Sequence, residues 1–171
     1  MTELDLRGSR VRLRALDATD RAALTAILAE ADVSRWWVHE DLASAVSGLF
    51  DDEAEVRLTI EVEGQVAGMI QFGEETAPDY RHASIDLFVG SVWQGRGIGP
   101  EAIRLVARHL FDARGHHRIT IDPAVANERA IRAYEKVGFR QVGVMREYER
   151  GIDGTWHDGL LMDLMREELV E

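Results

Sequence analysis

A short segment near the middle of the chain constrains the fold most. Ala83, Ile85, Leu87 and Val89 recur at every second position, the period of a strand with a buried face. Gln94-Gly95-Arg96-Gly97-Ile98-Gly99 follows, and Pro100 then suits the first position of a helix. Ile103, Val106, Ala107, Leu110 and Phe111 make one apolar stripe on that helix. The chain must therefore turn from strand to helix through closely spaced glycines. Such a turn lets backbone N–H groups converge on an anion. The helix N-terminus adds a partial positive charge and Arg96 a full one. A tight turn with no ligand would use the same residues. Spacing tests two nucleotide readings. A P-loop needs a lysine and Ser/Thr after its last glycine, where Pro100-Glu101 stand instead. The dinucleotide fingerprint needs G-x-G-x-x-G, whereas Gly95 to Gly99 read G-x-G-x-G.

The flanking pattern supplies the remaining elements. Val11, Leu13 and Ala15 alternate with polar residues and predict a first strand. Asp17 or Thr19 can cap a helix carrying Leu24, Ile27, Leu28 and Ala31. A second short helix is expected to about Phe50. Val56, Leu58, Ile60 and Val62 alternate with polar residues, Glu63-Gly64 turns the chain, and Val66 to Phe72 returns as a hairpin. Gly73 to Arg81, with Pro78, reads as a loop. Arg118 to Asp122 is a short strand, Asn127 caps a helix through Val137, and Gly138 stops it. Two last strands, about 139–148 and 156–165, flank a turn at Gly151–Gly154. The expected fold class is α/β (α+β): a mixed, mostly antiparallel sheet of about six to seven strands with helices on both faces.

Composition bounds the function. The 171 residues are 46% apolar and 30% charged, which suits a single domain over 1–171 with a real core. Twenty basic against 31 acidic residues give a formal charge of −11. That argues against a nucleic-acid partner and suits a cationic small molecule drawn to an acidic cleft. Cysteine is absent, which removes disulfides, thiolate nucleophiles and cysteine-ligated metals. The six histidines show no i, i+4 pair of a zinc helix, so no metal is expected. No apolar run reaches the roughly 18 residues of a membrane span, and the polar start at MTELDLRGSR lacks a leader pattern. A cytoplasmic protein is expected, with no membrane partner.

Two motifs together carry a resemblance. Gln94-Gly95-Arg96-Gly97-Ile98-Gly99 resembles the coenzyme A pyrophosphate loop, Q/R-x-x-G-x-G/A, of the GCN5-related N-acetyltransferase (GNAT) superfamily. Asn127, Ala130, Tyr134, Gly138 and Phe139 fit the N-x-x-A-x-x-x-Y-x-x-x-G-F segment of the same superfamily. The resemblance covers nearly the whole chain. Asp122-Pro123, Ile85-Asp86, and Trp36-Trp37 followed by Glu40 and Asp41 are similar to the aminoglycoside 6′-N-acetyltransferases. The Gly154–Asp158 turn is similar to a wider set that includes ribosomal-protein and polyamine acetyltransferases.

The resemblance implies an acetyl-CoA-dependent enzyme working by direct transfer, with an aminoglycoside 6′-amine as acceptor. Transfer to a polyamine or a protein N-terminal amine is the alternative, and a non-catalytic acyl-CoA-binding module is another. An ammonium has no lone pair, so a base or water must take its proton. The resemblance makes Asp86 that base or the anchor of the acceptor, and Tyr134 the acid at the departing thiolate. It implies that Leu87, Phe88 and Val89 supply backbone groups to the pantetheine arm, and that Gln94, Gly95, Arg96, Gly97, Ile98, Gly99, Asn127 and Ala130 hold coenzyme A. Trp36, Trp37, Gln71 and Asp122 are the expected acceptor contacts. A monomer or a homodimer is expected.

Overall fold

Period-two segments from both halves of the chain join in one sheet. The computed structural model describes residues 4–51 and 54–171; the start of the polar N-terminus, residues 1–3, lies outside them. The strands are β1 (Asp5–Arg7), β2 (Val11–Ala15), β3 (Val56–Val62), β4 (Gln65–Glu75), β5 (His82–Val89), β6 (Arg118–Ile121), β7 (Arg140–Arg150) and β8 (Trp156–Met165). They form an eight-stranded sheet in the order β1-β2-β3-β4-β5-β6-β8-β7. All neighbours are antiparallel except β5 and β6.

Helices cover both faces. They are α1 (Arg21–Leu28), α2 (Ala31–Trp37), α3 (Leu42–Asp51), α4 (Ile98–Arg108) and α5 (Glu128–Val137). Successive strand residues point to opposite faces. Ile70 and Leu87 therefore join Ile103, Val106 and Val137 of α4 and α5 in one core. Met69 and Phe88, one step along, join Leu24, Val33 and Leu49 of α1, α2 and α3 in the other. Each fully buried Leu or Ile contributes about 1.5–3 kcal/mol. The strip from Met69 to Ile70 thus fastens two helical layers to one sheet.

The structure departs from the sequence expectations at four places. The eighth strand is β1, whose three residues are too few to show a period; Arg12 fixes it by donating to both Asp5 carboxylate oxygens at 3.1 and 2.9 Å. β4 runs through Gly73 to Glu75, because Gly73 and Glu74 stay paired with Ser84 and Ala83. The first helix stops at Leu28, and Ala31 opens α2 rather than extending the α1 stripe. The helix after the glycine turn begins at Ile98, before Pro100, and continues beyond Arg108 into one π-helical turn, His109–Ala113.

Pairing between β5 and β6 positions the site. It covers only Ala83↔Ile119 and Ser84↔Thr120. β5 stays paired with β4 as far as Val89. From Ile85 onward one edge of β5 therefore has no strand beside it, and the sheet opens into a gap.

Candidate active site

Unpaired strand edges must bond to something, since a buried backbone N–H or C=O left alone is costly. Here side chains do it. Leu87 N–H donates to the Asp86 carboxylate at 2.9 Å. Trp37 Nε1 donates to Leu87 O at 3.1 Å, and Gln94 Nε2 donates to Val89 O at 2.7 Å. Strand alternation points Val89 N–H out of the same edge. A cleft of about 810 Å³ runs along this edge.

One end of the cleft is basic. Gly95 and Gly97 adopt φ 72° and 77°, which a side chain resists, and Gly97 is the N-cap of α4. Both residues and Gly99 line the cleft beside Arg104 of α4 and Arg129, Arg132 and Lys136 of α5. Glu101, in the first turn of α4, ties the β1–β2 turn to this region. Its Oε1 accepts from Arg10 N at 2.8 Å and Val11 N at 3.1 Å, while Arg10 Nη1 donates to Arg96 O at 2.6 Å. Asn127 caps α5 by accepting from Ala130 N–H at 3.3 Å, and Gly138 ends it at φ 117°. These residues suit an anionic diphosphate: backbone N–H groups, a helix N-terminus and cations face one opening.

The other end is acidic. Asp86 stands on the cleft floor, open to water yet surrounded by protein. Burial raises its carboxyl well above the ordinary 3.8, and the charges of Asp122, Glu55 and Glu149 push it further. Burial also raises the Tyr134 phenol above its ordinary value, with Asp86 and Asp122 adding to the rise. It is therefore a protonated donor at neutral pH. Asp122 accepts from the Tyr148 hydroxyl at 2.5 Å. Burial pushes Glu149 up, His39 at 3.3 Å pulls the other way, and Asp122 adds to the rise.

The structure brings together all the sequence-predicted site residues except Arg96. The Arg96 guanidinium lies 5.5 Å from the centre of the Trp93 ring and outside the cleft lining, whose arginines and lysine are Arg57 of β3 and those of α4 and α5. Ile98 is 2% exposed, so its side chain belongs to the core and its backbone alone can serve a ligand. The Phe88 side chain likewise packs in the second core, against Trp37 at 4.9 Å. Gln71 accepts from Arg57 Nε at 2.9 Å. Trp36 carries the Arg35 guanidinium 4.5 Å from its ring centre. Sequence reasoning missed Glu149, His39 and the α5 cations Arg129, Arg132 and Lys136. The α5 cations had a legible signal, an i, i+3, i+7 spacing on a helix whose start was predicted. Glu149 and His39 had none. Among the described residues, no group of metal-ligating side chains lies together, and no helix is long and apolar enough to cross a membrane.

Known proteins resemble this chain in sequence and fold. A family model described as an acetyltransferase (GNAT) domain matches residues 10–140. Spermidine N(1)-acetyltransferase of Escherichia coli (strain K12) is 26% identical over 166 residues, covering 94% of this chain and 88% of its own length. Aminoglycoside N(6′)-acetyltransferase type 1 of Klebsiella pneumoniae is 28% identical over 155 residues, covering 79% of this chain and 76% of its own. The solved structure of Mycobacterium smegmatis RimJ in complex with CoA-disulfide matches with a TM-score of 0.82 and 29% identity, over 99% of this chain and 89% of that one.

Proposed function

The chain belongs to the GNAT acetyltransferase family, and from that premise we propose that its single domain transfers the acetyl group of acetyl-CoA to a primary amine of a small polycation. The 6′-amine of an aminoglycoside is one acceptor and spermidine the other, in keeping with the relatives of those names. The observation that carries the reading is the polarity of the cleft: cations at the glycine turn, and the acids Asp86, Asp122 and Glu149 at the other end. An anionic donor and a cationic acceptor fit it in only one orientation.

Acetyl-CoA supplies an activated acetyl thioester. Gly95, Gly97 and the start of α4 hold its pyrophosphate, and Arg104, Arg129, Arg132 and Lys136 hold its remaining phosphate charge. Val89 N–H serves the pantetheine arm. Leu87 N–H polarises the thioester carbonyl once Asp86 releases it. Asp86 then faces the acceptor. Its raised pKa makes it a stronger base than an ordinary carboxylate for the proton an ammonium must lose. The arriving cation offsets the repulsion from Asp122 and Glu149 and returns Asp86 to its ionised form. Tyr134 keeps its proton and gives it to the departing thiolate. Without cysteine, no thiol in the chain can carry the acetyl group, and transfer is direct.

The test is thiol release from acetyl-CoA with 6′-amino aminoglycosides, their 6′-hydroxyl analogues, spermidine and peptides with free N-termini. Release with 6′-amino compounds alone selects the aminoglycoside. Release with spermidine alone selects the polyamine. Release with peptides alone refutes the small-polycation acceptor. Coenzyme A binding with silence across the panel refutes all of these acceptors and leaves a binding module or a different amine.

A further inference from the structure

The final hairpin, β7 and β8, holds an irregularity that the transfer mechanism does not use. Met145 pairs with Gly159, and Glu149 pairs with His157. Arg146, Glu147 and Tyr148 therefore face Asp158 alone, and β7 bows out. Glu147 has φ 48°, a left-handed conformation that a residue with a side chain adopts only when its surroundings hold it there. Asp158 holds it, accepting from Glu147 N–H at 2.8 Å. The bulge lays the Tyr148 ring across Gly159, where an added Cβ would stand 2.8 Å from Tyr148 Cδ1. From there the hydroxyl reaches Asp122 Oδ2 at 2.5 Å, and the next residue, Glu149, enters the cleft.

The choice of partner is informative. Elsewhere carboxylates that are buried or largely buried carry arginine: Asp20 with Arg14, Glu74 with Arg114, Asp163 with Arg118. Among the described residues no arginine or lysine pairs with Asp86 or Asp122. A guanidinium would fix Asp122 and cancel its charge. A phenol fixes it and leaves the charge in place. The Asp122 contact, together with burial, pushes the phenol up to about 12, so the hydroxyl remains a donor at neutral pH.

We propose that Tyr148 is a positioning residue that sets acceptor specificity: it fixes Asp122 in the cleft wall, where Asp122 holds a second ammonium of the acceptor while Asp86 serves the reacting one. The inference rests on the acetyl-transfer reading above. It requires an acceptor with at least two cationic nitrogens.

The experiment compares wild type with Tyr148→Phe, which keeps the ring and removes the hydroxyl. The expected result is a KM for the polycationic acceptor raised roughly tenfold, the scale of a lost hydrogen bond to a charged group, with kcat, the KM for acetyl-CoA and Tm unchanged. Gly159→Ala, which pushes the ring off its seat, should raise the same KM. A merely structural tyrosine would instead lower Tm or move both KM values together, and either result overturns the proposal. An unchanged acceptor KM in an active Tyr148→Phe enzyme overturns it alone. A wild type that binds acetyl-CoA but acetylates no amine overturns the transfer reading and this inference together.

Discussion

At the basic end of the cleft, the open strand edge, the glycine turn and the first turns of α4 come from one unbroken stretch between Ile85 and Arg104. The acidic end collects Trp37, Gln71, Asp86, Asp122 and Glu149 from separate places along the whole chain. The difference has a physical origin. A pyrophosphate is recognised by backbone N–H groups, which a local turn can aim by φ and ψ alone. An ammonium is recognised by carboxylates, and carboxylates brought together repel one another. They must be supplied by elements that core packing holds in place. The backbone cradle of the donor end is thus a local conformation, to which α5 adds distant cations, and the acceptor end is a cost that the fold as a whole sustains.

The largest test of that contrast is Asp86→Asn. Turnover should fall about 10²- to 10⁴-fold while acetyl-CoA affinity by calorimetry holds. Equal loss of both would abolish the distinction between the ends. Activity of the wild type should rise with pH as Asp86 loses its proton, and the substitution should remove that limb. Stability runs the other way. Between the ordinary 3.8 and its raised value, folded Asp86 holds a proton that the unfolded chain has lost, so stability falls as pH rises through that window. Asp86→Asn should therefore melt higher than wild type at neutral pH, by about 2–4 °C for each kcal/mol relieved.

Gly97→Ala sharpens the donor side. Its φ of 77° opposes a side chain, and the added Cβ would sit 3.0 Å from Arg10 Nη2. Coenzyme A should bind roughly tenfold more weakly, from about 1–2 kcal/mol of backbone strain, with the acceptor KM unmoved. A shifted acceptor KM would mean that the two ends are not separable.

Trp37→Phe addresses the seam between them, since Trp37 comes from α2 and bonds the donor strand. The phenyl ring keeps the contact with Phe88 and loses the bond to Leu87 O. A fall in kcat of about fivefold is expected, the scale of one net hydrogen bond. An unaffected kcat with a raised acceptor KM would instead make Trp37 a surface on which the acceptor stacks.

Legibility followed the same division. The glycine turn, the Asn127 cap and the Gly138 stop were readable because each is a local conformational demand met by one residue type. Asp86, Asp122 and Tyr134 were nameable through motif resemblance, but nothing in their spacing showed that their charges meet. Arg96, a basic residue between two glycines, reads as a phosphate ligand in the sequence, whereas the left-handed turns on either side place its side chain over Trp93. Glu149 sits among ordinary polar residues of a half-exposed hairpin, and its entry into the cleft depends on a bulge that no alternation pattern announces.

By itself, then, the sequence determined the order of strands and helices apart from β1 and the break between α1 and α2, together with the two-faced sheet and the donor turn. Periodicity, capping and glycine φ are properties of neighbours along the chain. Only the tertiary structure decided where β5 parts from β6, which carboxylates face one another, and that Tyr148 reaches Asp122. Those outcomes depend on which distant side chains are packed within a few ångströms, and on a dielectric that exists only once the core has closed.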